Sequence, residues 1–334
     1  MIKIAIDAMG GDYAPRETIK GVNMAIEMFD DIQLIVFGDE KEIRKYLVEN
    51  ERVSVVNTLQ KIDMGVKNAI AEVRNNKETS MVLAFRAVKD GSAQGLVTAG
   101  PTQAIIAAAH LYLKRIKGMA RVALCPSLPN IGGKERLFLD VGANIDLRSE
   151  HIVQFADFAS IYAKETMKIE KPLVGLLNIG TEPGKGRELE KEVFELLKND
   201  KNINFYGNVE SKEIFQSECD IYVTDGFTGN MVLKTIEGVT KSIGNLLKDE
   251  ISKSFSNKLG YLLMKNVFIN FKKTMSADEI GGANVLGVQG VVIKAHGSST
   301  AYAFSQAISQ ARRTVQADVI AKMEKLIDSS GKNE

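Results

Sequence analysis

Short apolar runs alternate with longer segments in which apolar residues recur every three or four positions through most of the chain. KIAIDAMGG (3–11), IQLIVFGD (32–39), RVSVVNT (52–58), GLVTAG (95–100), RLFLDVGAN (136–144), PLVGLLNIG (172–180), INFYGNV (203–209) and CDIYVTDG (219–226) each read as a strand, most of them running into glycine or an acid. Between them TIKGVNMAIEMF (18–29), EKEIRKYLVEN (40–50), HIVQFADFASIYAKETM (151–167) and GRELEKEVFELLKN (186–199) carry helical spacing. Continuous apolar strands separated by helices predict a largely parallel sheet covered on both faces, an α/β doubly wound fold. Ligands of such sheets bind beyond the carboxyl ends of the strands, which is where this chain places its glycines and special polar residues.

From about Ile236 to Met275 the pattern changes. Apolar residues at 239, 243, 246, 247, 251, 255, 259, 262, 263, 267 and 268 step by threes and fours, which predicts a protruding amphipathic helical hairpin over 236–275. Its segment LGYLLMKNVF (259–268) is unusually apolar and is followed by Lys272 and Lys273. That face either buries against a second subunit or lies on a membrane surface, and both hold if the tip of a dimeric bundle touches lipid. No run of about 18 uncharged apolar residues is present to cross a bilayer. The opening MIKIAIDAMGGD, interrupted by Lys3 and Asp7, reads as a first strand and not as a signal peptide, and the closing DSSGKNE as a frayed tail.

Composition narrows the picture. With 334 residues, 45% hydrophobic and 25% charged, the chain suits two domains, or one large α/β domain over 1–334 with the hairpin as an appendage. A net charge of +1 gives no whole-protein attraction to nucleic acid, so any charged partner must meet a local patch. Two cysteines far apart, Cys125 and Cys219, argue against a disulfide framework and for a reducing, cytoplasmic setting.

The common signatures are missing. No G-x-G-x-x-G follows the first strand, and no phosphate-loop or nucleophile-elbow motif is present. His110, His151 and His296 are scattered, so no metal site is expected. Present instead are glycine-rich turns bearing small polar and charged groups: DAMGGD (7–12), TAGPT (98–102), LDVGAN (139–144), NIGTEPGKG (178–186), TDGFTGN (224–230), GGANVLG (281–287) and AHGSST (295–300). Glycine lets backbone N–H groups approach an anion, and a following helix N-terminus adds partial positive charge. Lys185, between two glycines, and Lys234, one turn into the helix after TDGFTGN, are each either a phosphate ligand or a solvated lysine. Ser298, Ser299 and Thr300 are candidates to cap the next helix.

Taken in order, DAMGGD, LDVGAN, QFA (154–156), GLLNIGTEPGKG, GNVE (207–210), DGFTGNMVLKTIEG and GGANVLGVQGVVIKAHGSS resemble the bacterial phosphate acyltransferase family over nearly the whole chain. One block departs. The family loop reads like SAGNTGAL, whereas residues 98–105 are TAGPTQAI, with Pro101 and Gln103 where asparagine and glycine are expected.

The resemblance implies a Rossmann-like three-layer α/β/α fold, similar to isocitrate dehydrogenase and phosphotransacetylase. It implies acyl transfer from acyl-acyl-carrier-protein to inorganic phosphate at the start of phospholipid synthesis, with no cofactor. It also implies a homodimer, peripheral membrane association, and delivery of acyl phosphate to a membrane glycerol-3-phosphate acyltransferase. Phosphate itself is the nucleophile, so the protein must bind a dianion, aim it and stabilise a tetrahedral oxyanion. Candidates for the anion are Lys185, Lys234 and the loops holding Gly10, Gly11, Thr98, Gly100, Gly180, Gly184, Gly186, Gly226, Thr228, Gly229, Gly297 and Ser298. Asn144, Asn230 and His296 are candidates for the oxyanion, and Asp7, Asp12, Asp140 and Asp225 for organising the loops. The densest basic cluster, Lys114, Arg115, Lys117 and Arg121, is a candidate dock for an acidic carrier protein. Readings that remain open are a coenzyme A-dependent acyl transfer, a dehydrogenase on a related fold, and a non-catalytic lipid-metabolite sensor.

Overall fold

A computed structural model describes residues 1–128, 134–275 and 281–329. The side chains of Lys272, Lys273, Met275 and Ser329, and the tail from residue 330, lie outside the described residues. The strands are β1 (Ile2–Asp7), β2 (Ile32–Gly38), β3 (Val53–Asn57), β4 (Gly95–Thr98), β5 (Ala123–Leu128), β6 (Arg136–Leu139), β7 (Leu173–Asn178), β8 (Asn204–Glu210), β9 (Ile221–Val223), β10 (Gly282–Leu286) and β11 (Val291–Ala295). They form one sheet in the order β3-β2-β1-β4-β11-β10-β5-β6-β9-β7-β8.

The pairing divides this sheet in two. β3, β2, β1, β4 and β11 are mutually parallel, and so are β6, β9, β7 and β8. β10 is antiparallel to β11 and β5, and β5 is antiparallel to β6. The two parallel sets therefore run in opposite directions, and their carboxyl ends lie at opposite ends of the sheet. GGANVLG, read from its glycines as a turn, is mostly strand β10. Gly282 is needed there, because a Cβ would lie 2.7 Å from the Lys294 carbonyl oxygen on the neighbouring strand.

Helices cover both faces. On one face α1 (Arg16–Met28), α6 (Ser149–Thr166), α7 (Glu188–Asn199), α11 (Ala301–Gln316) and α12 (Val319–Ser329) bury Ile4, Ile6, Val97, Ile293, Leu137 and Ile221. On the other, α3 (Ala69–Asn75), α4 (Ser80–Lys89) and α5 (Thr102–Ala108) cover Ala5, Leu96 and Val292, joined by the first turns of α8 (Gly226–Ser252) through Val232, Leu233 and Ile236. Only the short α2 (Glu40–Ile43) sits at the rim, capped by Asp39. Beyond Ile236, α8 leaves the body. It carries α9 (Phe255–Leu263) and α10 (Lys265–Met275), which pack in series against it, with the Tyr261 and Phe268 rings 5.2 Å apart. Phe255, Leu262 and Leu263 are 82%, 64% and 82% exposed, so the apolar face of this excursion has no cover among the described residues.

Candidate active site

Three loops meet at the carboxyl end of the first strand set. Asp7, buried at the end of β1, accepts hydrogen bonds from Ser80 Oγ at 2.7 Å, Thr98 Oγ1 at 2.6 Å and the Met9 amide at 3.3 Å. Burial pushes its carboxyl up, against the downward pull of those donors. Thr98 Oγ1 in turn accepts from the Gly100 amide at 3.1 Å. A Cβ on Gly10 would stand 2.6 Å from Asp7 Oδ2 and 2.8 Å from the Gly100 nitrogen, so the first two loops touch only because that position is glycine. The Asp12 amide donates to the Gly297 carbonyl at 2.7 Å, which ties in the loop after β11. Pro101 sits at the N-cap of α5 with φ −62°, the angle its ring imposes, so the departure at 101 is accommodated without distortion.

His296 leads that third loop. Its Nδ1 accepts from the Ser298 amide at 3.3 Å, with the Ser298 hydroxyl 2.9 Å away, so Nε2 carries the proton and points a donor elsewhere. Burial and then the Lys294 charge hold the imidazole below its usual range, hence neutral near pH 7. Thr300 caps α11 by accepting from Ala303 N at 3.3 Å.

Lys294 was not singled out from the sequence. It pairs in register with Thr98, two residues beyond Val292, which pairs with Leu96. Val292, Leu96 and Ala5 share one core face, so side-chain alternation puts Lys294, Thr98 and Asp7 in a row on that face at the strand ends. The signal available was a lysine inside the otherwise continuously buried VVIKA. Lys234, one of the candidate anion ligands, reaches towards this corner from α8 and pairs with Glu237 at 2.6 Å.

The remaining candidates lie at the opposite end of the sheet. Asp140, buried after β6, accepts from Leu124 N at 3.0 Å, Ala143 N at 3.1 Å, Asn144 N at 2.8 Å and Asn144 Nδ2 at 2.9 Å. Asn144 Nδ2 also donates to the Val122 carbonyl at 2.6 Å, so both its amide hydrogens are used in holding the loop and neither is free for an oxyanion. Asp225 caps α8, accepting from Thr228 N at 2.8 Å and Thr228 Oγ1 at 2.9 Å, and pairs with Arg187. The α8 N-terminus is thus occupied by the protein's own carboxylate. Gly226 and Gly229 are packing glycines, because Cβ atoms there would fall 2.1 Å from the Asn144 carbonyl and 1.9 Å from the Asp140 carbonyl. Asn230, exposed, sits over Gly142.

Lys185 is half-exposed, with Glu182 at 3.9 Å, and its loop is held by Asn178 Nδ2 on the Lys185 carbonyl at 3.1 Å. Gly180 lies under the Lys185 side chain, Gly184 is open, and Gly186 needs its φ of +92° to turn into α7. β7 is five strand positions from β11, roughly 24 Å at about 4.8 Å per strand, and its carboxyl end faces the other way. TDGFTGN and NIGTEPGKG, expected to share one cleft with AHGSS at the strand ends, therefore stand apart from it, and the candidates form two clusters. Asp7, Gly10, Gly11, Asp12, Thr98, Gly100, His296, Gly297 and Ser298 belong to one. Asn144, Gly180, Gly184, Lys185, Gly186, Asp225, Gly226, Thr228, Gly229 and Asn230 belong to the other. α8 runs between them.

The basic loop lies at the second end. Ile116 N donates to the Gly287 carbonyl at 3.0 Å and Gln289 N to the Lys114 carbonyl at 3.1 Å. Gln154 clamps its far side through Ala120 N and the Gly118 carbonyl, both at 3.0 Å. Lys114, Arg115, Lys117 and Arg121 are exposed on it, around an open hollow of ≈ 440 Å³ lined by His110, Lys114, Arg115 and Lys117. Burial, then Arg115 and Arg121, hold His110 below its usual range. Cys125 and Cys219 are buried and free, with burial pushing both thiols up, so neither is an activated nucleophile.

Sequence comparison decides the family. The profile of a family described as "Fatty acid synthesis protein" matches residues 2–322. The chain is 49% identical to a phosphate acyltransferase of Acholeplasma laidlawii over 329 residues, 98% of each chain. It is 45% identical to one of Staphylococcus aureus over 330 residues, 99% of each. This chain belongs to the phosphate acyltransferase family. Among solved structures it resembles a phosphotransacetylase from Streptococcus pyogenes, at 17% identity with TM-score 0.59, covering 96% of this chain and 94% of that one. It also resembles a branched-chain phosphotransacylase from Enterococcus faecalis, at 16% identity with TM-score 0.58, covering 94% and 100%. Those likenesses bear out the layered α/β fold expected of the family. Among the described residues no helix is long and apolar enough to cross a membrane.

Proposed function

We propose that acyl transfer to phosphate takes place where the loops after β1, β4 and β11 meet. The chain is an acyltransferase that moves a fatty acyl group from a thioester to inorganic phosphate, giving acyl phosphate for lipid synthesis. The observation that carries the placement is the lacing of Asp7, Thr98, Gly100, Asp12 and Gly297 beneath a neutral His296 whose Nε2–H is unassigned. A phosphate oxygen attacks the thioester carbonyl carbon, and the His296 Nε2–H donates to the oxygen that becomes negative. Collapse of the tetrahedral species breaks the C–S bond, and the proton lost by phosphate leaves with the sulfur as thiol.

The acyl donor in this reading is acylated carrier protein, whose body docks on Lys114, Arg115, Lys117 and Arg121 at the second end, so that its thioester arm reaches along the depth of the sheet, about 20 Å for six strand residues, to His296. The whole chain acts as one catalytic domain, a homodimer closes over the exposed face of α8–α10, and the Leu262–Leu263 tip touches the membrane surface. There the acyl phosphate passes to a glycerol-3-phosphate acyltransferase. The direct test is phosphate-dependent thiol release from acyl-carrier-protein, with acyl-coenzyme A as the comparison. Arg115→Glu with Lys117→Glu raises the carrier KM about tenfold at low salt, and less as salt rises. Equal turnover of both donors, or an unchanged carrier KM in the double variant, refutes the docking assignment.

A further inference from the structure

We propose that Lys294 is the partly buried cation that seats the phosphate dianion, with Lys234 closing over it from α8; this rests on placing the reaction at the β1–β4–β11 end. Lys294 emerges from a strand whose other residues are fully buried, beside Thr98 and in the row that ends at Asp7. Its ammonium touches only the Ala295 carbonyl, at 3.4 Å, and among the described residues no carboxylate lies within ion-pair distance. A cation largely withdrawn from water without an anion is costly, and such groups persist where a ligand supplies the missing charge.

The surroundings sharpen the deficit. Lys234 adds a second positive charge, only partly answered by Glu237, and the ammonium sits at about 8, lowered by burial and then by Lys234. The other titratable groups facing this corner are His296, held neutral, and Asp12 across the loop contact. Asp7 in the same row already uses its oxygens on Ser80 and Thr98. In the same loop as His296, Ser299 is buried and its hydroxyl has no hydrogen-bond partner among the described residues. An anion bearing several acceptor oxygens and about two charges satisfies the two lysines together. Lys185, by contrast, is exposed, has a carboxylate neighbour and lies at the other end of the sheet.

The test uses the full-length enzyme and inorganic phosphate as the probe. Thermal unfolding with and without phosphate reads binding apart from turnover. Lys294→Met is expected to melt no lower than wild type without phosphate, since it removes an uncompensated buried charge. It is expected to lose the rise in Tm that phosphate gives wild type, and to raise the phosphate KM at least about thirtyfold with the carrier KM unchanged. In wild type the phosphate KM rises above pH 8, approaching about tenfold per unit as the ammonium deprotonates. Lys294→Arg keeps phosphate binding and abolishes that alkaline limb, because a guanidinium stays charged. A Lys294→Met enzyme with the wild-type phosphate KM and Tm rise overturns the proposal. If it does so while His296→Gln lowers kcat, the site placement survives and Lys294 alone is wrong. If it does so while Lys185→Ala loses phosphate binding, the placement fails as well.

Discussion

Gly229→Ala separates a packing glycine from an anion-cradling one. The added methyl would fall 1.9 Å from the Asp140 carbonyl oxygen and 3.0 Å from its carbon, whereas ordinary contact begins near 3.4 Å. Something must move by roughly 1.5 Å, and neither side is a flexible side chain. Asp140 is fixed by the hydrogen bond its amide donates to the Thr224 carbonyl at 3.1 Å and by the four donors on its carboxylate. Gly229 is fixed by the first turn of α8, where its amide donates to the Asp225 carbonyl at 2.9 Å. Overpacking against backbone of this kind costs about 3 kcal/mol, even after the helical preference of alanine is credited. At about 0.7 kcal/mol per kelvin for a chain this long, Tm falls by about 4 °C. Gly238→Ala is the control, in the same helix with nothing within 4 Å of its Cβ, and is expected to raise Tm by about 1 °C. Calorimetry and phosphate kinetics are run on both. A Gly229→Ala enzyme that melts like the Gly238→Ala control but has a raised phosphate KM would refute the packing assignment and return the loop to anion binding.

Two other outcomes follow from the same geometry. Leu262→Glu with Leu263→Glu, at a tip whose side chains are 64% and 82% exposed, is expected to abolish flotation with anionic vesicles while sedimentation still shows a dimer; loss of the dimer would make the tip an interface. At Asp225 burial raises the carboxyl, but the Thr228 amide and Arg187 outweigh it and leave the group below its ordinary 3.8, so its stabilisation is full above about that pH and lost as pH falls through the lower folded value. Asp225→Ala therefore costs about 1–2 kcal/mol at pH 7, and the deficit disappears at the acid end of a Tm–pH series; a deficit that persists there would show that capping charge is not its source.

Much of the fold was legible because the inner strands of both parallel sets are buried on two faces and read as continuous apolar runs, unlike the edge strands β3 and β8. β5 escaped because Pro126 stands within ALCPSL, and proline argues against a central strand. β10 escaped because Gly281 and Gly282 read as turn, although Gly282 serves the close approach of Lys294. The relative direction of the two sets was invisible, since it depends on three antiparallel pairings around β5 and β10 that no local pattern encodes. The same limit governed the site. Glycine spacing in TDGFTGN shows that something approaches closely, but not whether it is phosphate or the Asp140 backbone. A lysine at the end of an apolar strand looks like an ordinary strand boundary until the register places it against Thr98.

α8 gives the two clusters a mechanical relation. Its origin is pinned by Asp225 to Arg187 and by two glycines against the 140–144 loop. Lys234 lies eight residues further on, about 12 Å along a helix axis, which carries it from the second strand set to the Lys294 corner of the first. The same helix then continues out of the body into the exposed apolar excursion. Packing at the Gly229 end thus sets where Lys234 and Glu237 stand over Lys294, and whatever covers the hairpin acts on the far end of the same rigid rod. A displacement of α8 by one helical step would exchange the residue facing Lys294. In the proposed site, the charge offered to phosphate is therefore coupled to contacts at both ends of this helix.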